Sequence, residues 1–101
     1  MKYHVKILPG ALNDAKELYR WIQKDSASNA DKWFNGIIEA INSLEMLPMR
    51  VPIAPESKLM SLEIRHLIYK KNYRILFTVD DDTVRIYHIR HTARGLMEEK
   101  G

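Results

Sequence analysis

The stretch LEIRHLIYKKNYRILFTVDDDTVRIYHIRH, residues 62–91, decides how this chain folds. Three runs rich in β-branched and aromatic residues, Leu62 to Tyr69, Tyr73 to Val79 and Thr83 to His91, are separated by the polar triplets Lys70-Lys71-Asn72 and Asp80-Asp81-Asp82. Connections this short join neighbouring strands as hairpins, so the three runs read as an antiparallel meander. A period of two places Tyr73, Ile75, Phe77 and Val79 on one face of the middle strand and Arg74, Leu76 and Thr78 on the other. In the first run Leu62, Ile64 and Ile68 set the phase together with His66, leaving Glu63, Arg65, Leu67 and Tyr69 opposite. On this phase Arg65 and Arg74 share the solvent-facing side. The last run changes phase, from Val84 and Ile86 to Ile89 and His91, which predicts a β-bulge near Tyr87 or His88.

Working upstream, Pro48, Pro52 and Pro55 bar helix and central strand alike, so residues 48–61 read as an irregular connection of roughly a dozen residues. Before it lie two amphipathic helices. Ala30, Trp33, Phe34, Ile37, Ile38, Ile41, Leu44 and Leu47 form one stripe, with Ser28 as its N-cap, Asp31 in its first turn and Pro48 ending it. Leu12, Ala15, Leu18, Tyr19 and Ile22, with Trp21 beside them, form the other, which stops at Lys24-Asp25-Ser26. Two helices joined by about three polar residues form an antiparallel hairpin. Residues 3–8 alternate as a short strand, closed by Pro9-Gly10, that joins the sheet at an edge. The expected fold is α+β: an N-terminal strand, a two-helix hairpin, then the three-stranded meander packed on the hairpin, because neither layer can bury its apolar face alone.

Composition narrows the function. The 101 residues are 46% hydrophobic and 29% charged, with four Gly and four Pro, which suits one globular domain. A single domain over 1–101 is expected, with its core at about 3–94 and a flexible tail at 95–101. A core this small leaves little room for a buried pocket, so chemistry belongs on a face. Cysteine is absent, which excludes a disulfide framework, a thiolate zinc site and a cysteine nucleophile. No run approaches the ~18 apolar residues of a membrane span and no leader-like segment opens the chain, so a cytoplasmic protein with no membrane partner is expected. Net charge is +3. Residues 1–56 carry seven basic and seven acidic side chains, residues 57–101 nine and six, so the whole excess lies in the second half and points to a polyanion or an acidic protein partner.

No metal or cofactor is expected. His4, His66, His88 and His91 lack ligand-rich neighbours, there is no phosphate-cradling glycine loop, and Asp80-Asp81-Asp82 has the chemistry of a turn. What remains is the basic set Arg65, Lys70, Lys71, Arg74, Arg90 and Arg94, with Tyr69 and His91 interleaved. Guanidinium groups clamp phosphate in bidentate fashion and stabilise charge in phosphoryl transfer. A metal-independent nuclease built on them needs an acid and a base titrating near neutrality; His91 is the natural candidate and Tyr69 a poorer one.

The order strand, helical hairpin, proline-rich loop and meander resembles the toxins of the RelE/ParE superfamily. The match runs over about residues 3–94 and is carried by Ile7-Leu8-Pro9-Gly10-Ala11 with Asp14, the Ala30 to Pro48 helix with Trp33 and Leu44, Glu63-Ile64-Arg65, Tyr73-Arg74-Ile75, Val84 to Ile86 and Ile89-Arg90-His91-Thr92-Ala93-Arg94. The resemblance implies the toxin of a type II toxin–antitoxin module, held in a hetero-oligomer by a cognate antitoxin that wraps it. Two targets are implied. ParE-like members inhibit DNA gyrase, with Arg65, Lys70, Lys71, Arg74, Arg90, His91 and Arg94 here as target-binding residues. RelE-like members cleave mRNA on the ribosome, in which case Arg65 and Arg74 hold phosphate and His91 moves a proton. The Ile-x-His-x-x-Arg close and the lack of a tyrosine after Tyr87 resemble the ParE-like chains more.

Overall fold

A computed structural model of the chain describes residues 2–92. The order of elements is β1 (His4–Ile7), α1 (Pro9–Gln23), α2 (Ala27–Asn42), a four-residue helix α3 (Ser57–Met60), β2 (Arg65–Tyr69), β3 (Tyr73–Asp80) and β4 (Thr83–His91). The sheet order is β1-β4-β3-β2. β2, β3 and β4 form the antiparallel meander, and β1 lies parallel to β4 at the edge, from His4 opposite Thr83 to Ile7 opposite Ile86.

The helical hairpin covers one face of this sheet. Pro9 sits in the first turn of α1, where its fixed φ suits a helix and its missing N–H costs nothing. Lys24, Asp25 and Ser26 separate the helices. The N-cap of α2 is Ser26, not Ser28: Ser26 is extended (φ −161°) and its Oγ accepts the Asn29 N–H at 3.1 Å, so Ser28 already lies inside the first helical turn. The α2 stripe is buried at Ala30, Trp33, Ile37 and Ile41 and continues to Leu44 through a turn of 3₁₀ helix. Leu47 departs from it. Its backbone is left-handed (φ 50°) ahead of Pro48 and its side chain is exposed, as is Leu12 of α1. Against the stripe pack Tyr73, Ile75 and Phe77 of β3 and Val84, Ile86 and Ile89 of β4.

The expected bulge is present. Leu76 faces His88 and Phe77 faces Ile86, so Tyr87 is the extra residue, and the phase change in β4 returns Ile89 to the buried side. Where β1 ends, α1 takes over beside β4: the Asp14 carboxylate accepts the Ile89 N–H at 3.0 Å and contacts His88 Nδ1 at 3.0 Å, satisfying strand polar groups that β1 no longer reaches.

The expected phase of β2 is overturned. Tyr69 lies opposite Tyr73 across the three-residue turn, Leu67 opposite Ile75 and Arg65 opposite Phe77. Directly opposed residues share a face, so Arg65, Leu67 and Tyr69 lie on the helix side, while His66 and Ile68 join Leu76 and Arg74 on the outer side. The reason is packing. Leu67 and Tyr69 add to the core, and the Tyr69 ring occupies a notch at Gly36 of α2 that a Cβ would fill. Arg65 and Arg74 therefore face opposite sides of the sheet. β2 also begins three residues later than its pattern suggests, because residues 62–64 belong to the loop.

Ile41 is fully buried in this core. Ile41→Asp is expected to lower unfolding free energy by at least about 4 kcal/mol, whereas Ile41→Val costs about 0.5–1.5 kcal/mol. Equilibrium urea denaturation of both variants measures the difference.

Candidate functional site

The connection between α2 and β2 is more ordered than its prolines suggest. Pro52, Ile53 and Ala54 run antiparallel beside the start of β2: the His66 N–H donates to the Pro52 carbonyl (3.1 Å) and the Ala54 N–H to the Ile64 carbonyl (2.7 Å). Ser57 closes the loop, its Oγ donating to the Ile64 carbonyl at 2.9 Å and accepting the Ile64 N–H at 2.7 Å.

Both arginines are consumed by this loop, from opposite sides. On the helix side the Arg65 guanidinium donates to the carbonyls of Val51 (2.6 Å) and Met49 (3.2 Å) and pairs with Glu63 at 2.8 Å. On the outer side Arg74 makes a bidentate pair with Glu56, at 2.8 and 2.7 Å, while its Nε donates to His66 Nδ1 at 3.1 Å. That bond assigns His66 the neutral Nε2–H tautomer. The Arg74 side chain is only 19% exposed.

The electrostatics follow from these contacts. The hydrogen bonds from Arg74 hold the Glu56 carboxyl down at about 2, against partial burial that opposes them. Glu56 in turn raises Arg74. Burial lowers His66, and the Arg74 charge adds to that.

His91 lies elsewhere. It is opposite Tyr73, on the helix side, with its ring edge-on to Tyr73 (4.9 Å between centroids) and to Trp21 of α1 (5.0 Å). Burial pushes the Tyr73 phenol up, so Tyr73 stays protonated near neutrality. Arg65 and His91 share a face but stand opposite Phe77 and Tyr73, about 13 Å apart along β3. No two of Arg65, Arg74 and His91 come together. Arg90 lies beside Arg74 on the outer side, Lys70 and Lys71 form the tip of the β2–β3 hairpin, and Arg94 and the tail from 95 lie outside the described residues. The residues that pattern reading missed are Glu56, His66 and Asp14; only Asp14, within the opening motif, carried any signal.

Among the described residues no group of three or more His, Asp or Glu is placed to hold a metal ion. No helix among them is long and apolar enough to cross a membrane. A cleft of about 450 Å³ lies on the hairpin, lined by Tyr19, Phe34, Lys16 and Arg20, and Tyr19 Oη donates there to Asp31 at 2.6 Å.

Fold and sequence together define the class: a small α+β toxin of the RelE/ParE type. Residues 5–96 match the family of ParE toxins of the type II toxin–antitoxin system parDE, and the chain belongs to that family. Its structure is similar to one from the chromosomal ParDE system of P. aeruginosa, with a TM-score of 0.72 and 17% identity over 89% of this chain and 96% of that one. It is also similar to one from the toxin–antitoxin complex RelBE2 of Mycobacterium tuberculosis, with a TM-score of 0.63 and 23% identity over 90% and 99%. No curated protein matches the chain in sequence. This protein is a toxin of a type II toxin–antitoxin system.

The Glu56–Arg74–His66 group has an acid signature. A depressed carboxylate contributes stability above its ordinary 4.5 and loses it as pH falls toward about 2. A depressed histidine favours the folded state above its ordinary 6.5 and loses that contribution as pH falls below it. Stability is expected to fall in two stages on acidification, the first absent in His66→Gln and the second absent in Glu56→Gln. Denaturation midpoints measured from pH 7.5 to 2.5 read both stages.

Proposed function

We propose that this toxin arrests growth by binding DNA gyrase and leaves mRNA uncut. The observation that carries the reading is the separation of Arg65, Arg74 and His91. Metal-free phosphodiester cleavage needs a cationic clamp and a proton-transfer group converging on one phosphate within hydrogen-bond reach. Here the two guanidinium groups face opposite sides of the sheet and are taken up by the loop, and His91 packs between Trp21 and Tyr73. Inhibition by binding asks for none of this convergence. It asks for a rigid surface, which the sealed core and the tied loop supply.

In this reading Arg65 and Arg74 are positioning residues that hold residues 49–64 against the sheet. The target-facing groups are Lys70, Lys71 and Arg90 at the end of the sheet away from the Asp80 turn, followed in sequence by Arg94, while His91 packs beneath them against Trp21 and Tyr73. The partners in this reading are gyrase in the cytoplasm and a cognate antitoxin, the antitoxin by analogy with the toxin–antitoxin systems of the two structural neighbours.

Inducing the protein in growing cells separates the outcomes. Protease-released, gyrase-linked DNA breaks with intact mRNA are expected; cleavage of mRNA in codon phase with gyrase unaffected would overturn the reading. His91→Gln is expected to keep growth inhibition within about threefold, where removing a proton-transfer group from a nuclease costs about 10²–10⁴ in rate. Growth curves at matched protein levels measure this.

A further inference from the structure

The two hairpin turns of the meander close the sheet at opposite ends and use left-handed backbone differently. At the β3–β4 turn the left-handed residue is Asp81 (φ 55°), whose short polar side chain tolerates that region. At the β2–β3 turn the left-handed residues are Lys70 (φ 50°) and Lys71 (φ 66°), in succession, although the better-suited Asn72 stands next to them outside that region. The Asn72 N–H donates to the Lys70 carbonyl at 2.7 Å, a three-residue closure around Lys71, and such closures with positive φ are rare and strained.

Among the described residues no ion pair offsets that strain. Both lysines are exposed, and among the described residues no carboxylate lies within ion-pair distance of either ammonium. Lys70 Nζ stands 5.6 Å from the Tyr69 ring centroid. Strained backbone that presents two cations outward is best explained by a contact made outside the chain.

We propose that the Lys70-Lys71 tip docks on the phosphate backbone of duplex DNA. This rests on the gyrase reading, since gyrase acts while holding DNA. Lysine ammonium groups suit phosphate positioning, whereas lysine is depleted from protein–protein interfaces. Single-stranded nucleic acid calls for open aromatic faces, and at this end the Trp21 and Tyr73 rings both pack edge-on with His91. The charge distribution orients the approach. Arg90 lies one residue back along β4, Lys24 follows the α1 turn that reaches His91, and the Asp80-Asp81-Asp82 turn is at the far end of β3, about 27 Å away.

Fluorescence anisotropy of the purified full-length chain with duplex DNA and single-stranded RNA oligonucleotides of about 20 nucleotides per strand, across a salt series, tests the tip. Wild-type protein is expected to prefer the duplex, and Lys70→Ala/Lys71→Ala to flatten the slope of log K against log salt by about 1.8. Lys70→Arg/Lys71→Arg keeps binding. Lys71→Gly weakens binding while raising Tm by about 4 °C, because glycine relieves the left-handed strain. An unchanged slope in the double alanine variant, a preference for RNA, or a fall in Tm of Lys71→Gly would overturn the proposal. Gyrase-linked breaks scored with the same proteins keep the two readings apart. Breaks without tip-dependent duplex binding remove the tip proposal alone; tip-dependent binding without breaks removes the gyrase reading and leaves the contact standing.

Discussion

The direct opposition of Tyr69 and Tyr73 across a three-residue turn is the constraint on which the rest of the site depends. It sends Leu67 and Tyr69 toward the helices, with the Tyr69 ring seated at Gly36, and so places Arg65 on the helix side. The same pairing leaves His66 beside Arg74 on the outer side. Once these faces are set, the loop from Met49 to Ile64 has a cationic anchor on each side of the sheet: backbone carbonyls meet Arg65 below and the Glu56 carboxylate meets Arg74 above. The two arginines act as a clamp through the sheet edge.

Much of the architecture is legible in the sequence. The i, i+3, i+4 stripe through Ile41 and Leu44 located the buried side of α2, although its last member, Leu47, is exposed, and the clash of phase between Val84-Ile86 and Ile89-His91 placed a bulge near Tyr87 or His88, where Tyr87 is the extra residue. Those signals are local, since each element must present its own apolar face. The face of Arg65 was misread because Ile64, His66 and Ile68 look as apolar as Leu67 and Tyr69 when β2 is taken alone; counting back from the tyrosine pair across the turn gives the right parity. Glu56 carries no such signal, and Asp14 is marked only by its place in the opening motif. They act at Arg74 and Ile89, 18 and 75 residues away, and only the tertiary fold brings an isolated carboxylate to a distant donor.

Charge taken up inside the chain changes the meaning of the basic second half. Arg65, Arg74 and Arg85 are paired with Glu63, Glu56 and Asp80, so a count of cations overstates the positive surface. What stays outward is concentrated at the Lys70-Lys71 end, with the acidic turn at the other.

Exchanging the charges of the outer pair tests this account most directly. If Arg74 works by holding Glu56, the chain with Glu56→Arg and Arg74→Glu together recovers the melting temperature and growth inhibition that each single change lowers. Recovery of stability without recovery of growth inhibition would show that a guanidinium at position 74 is needed by the target itself, and would contradict the assignment of Arg74 to the fold.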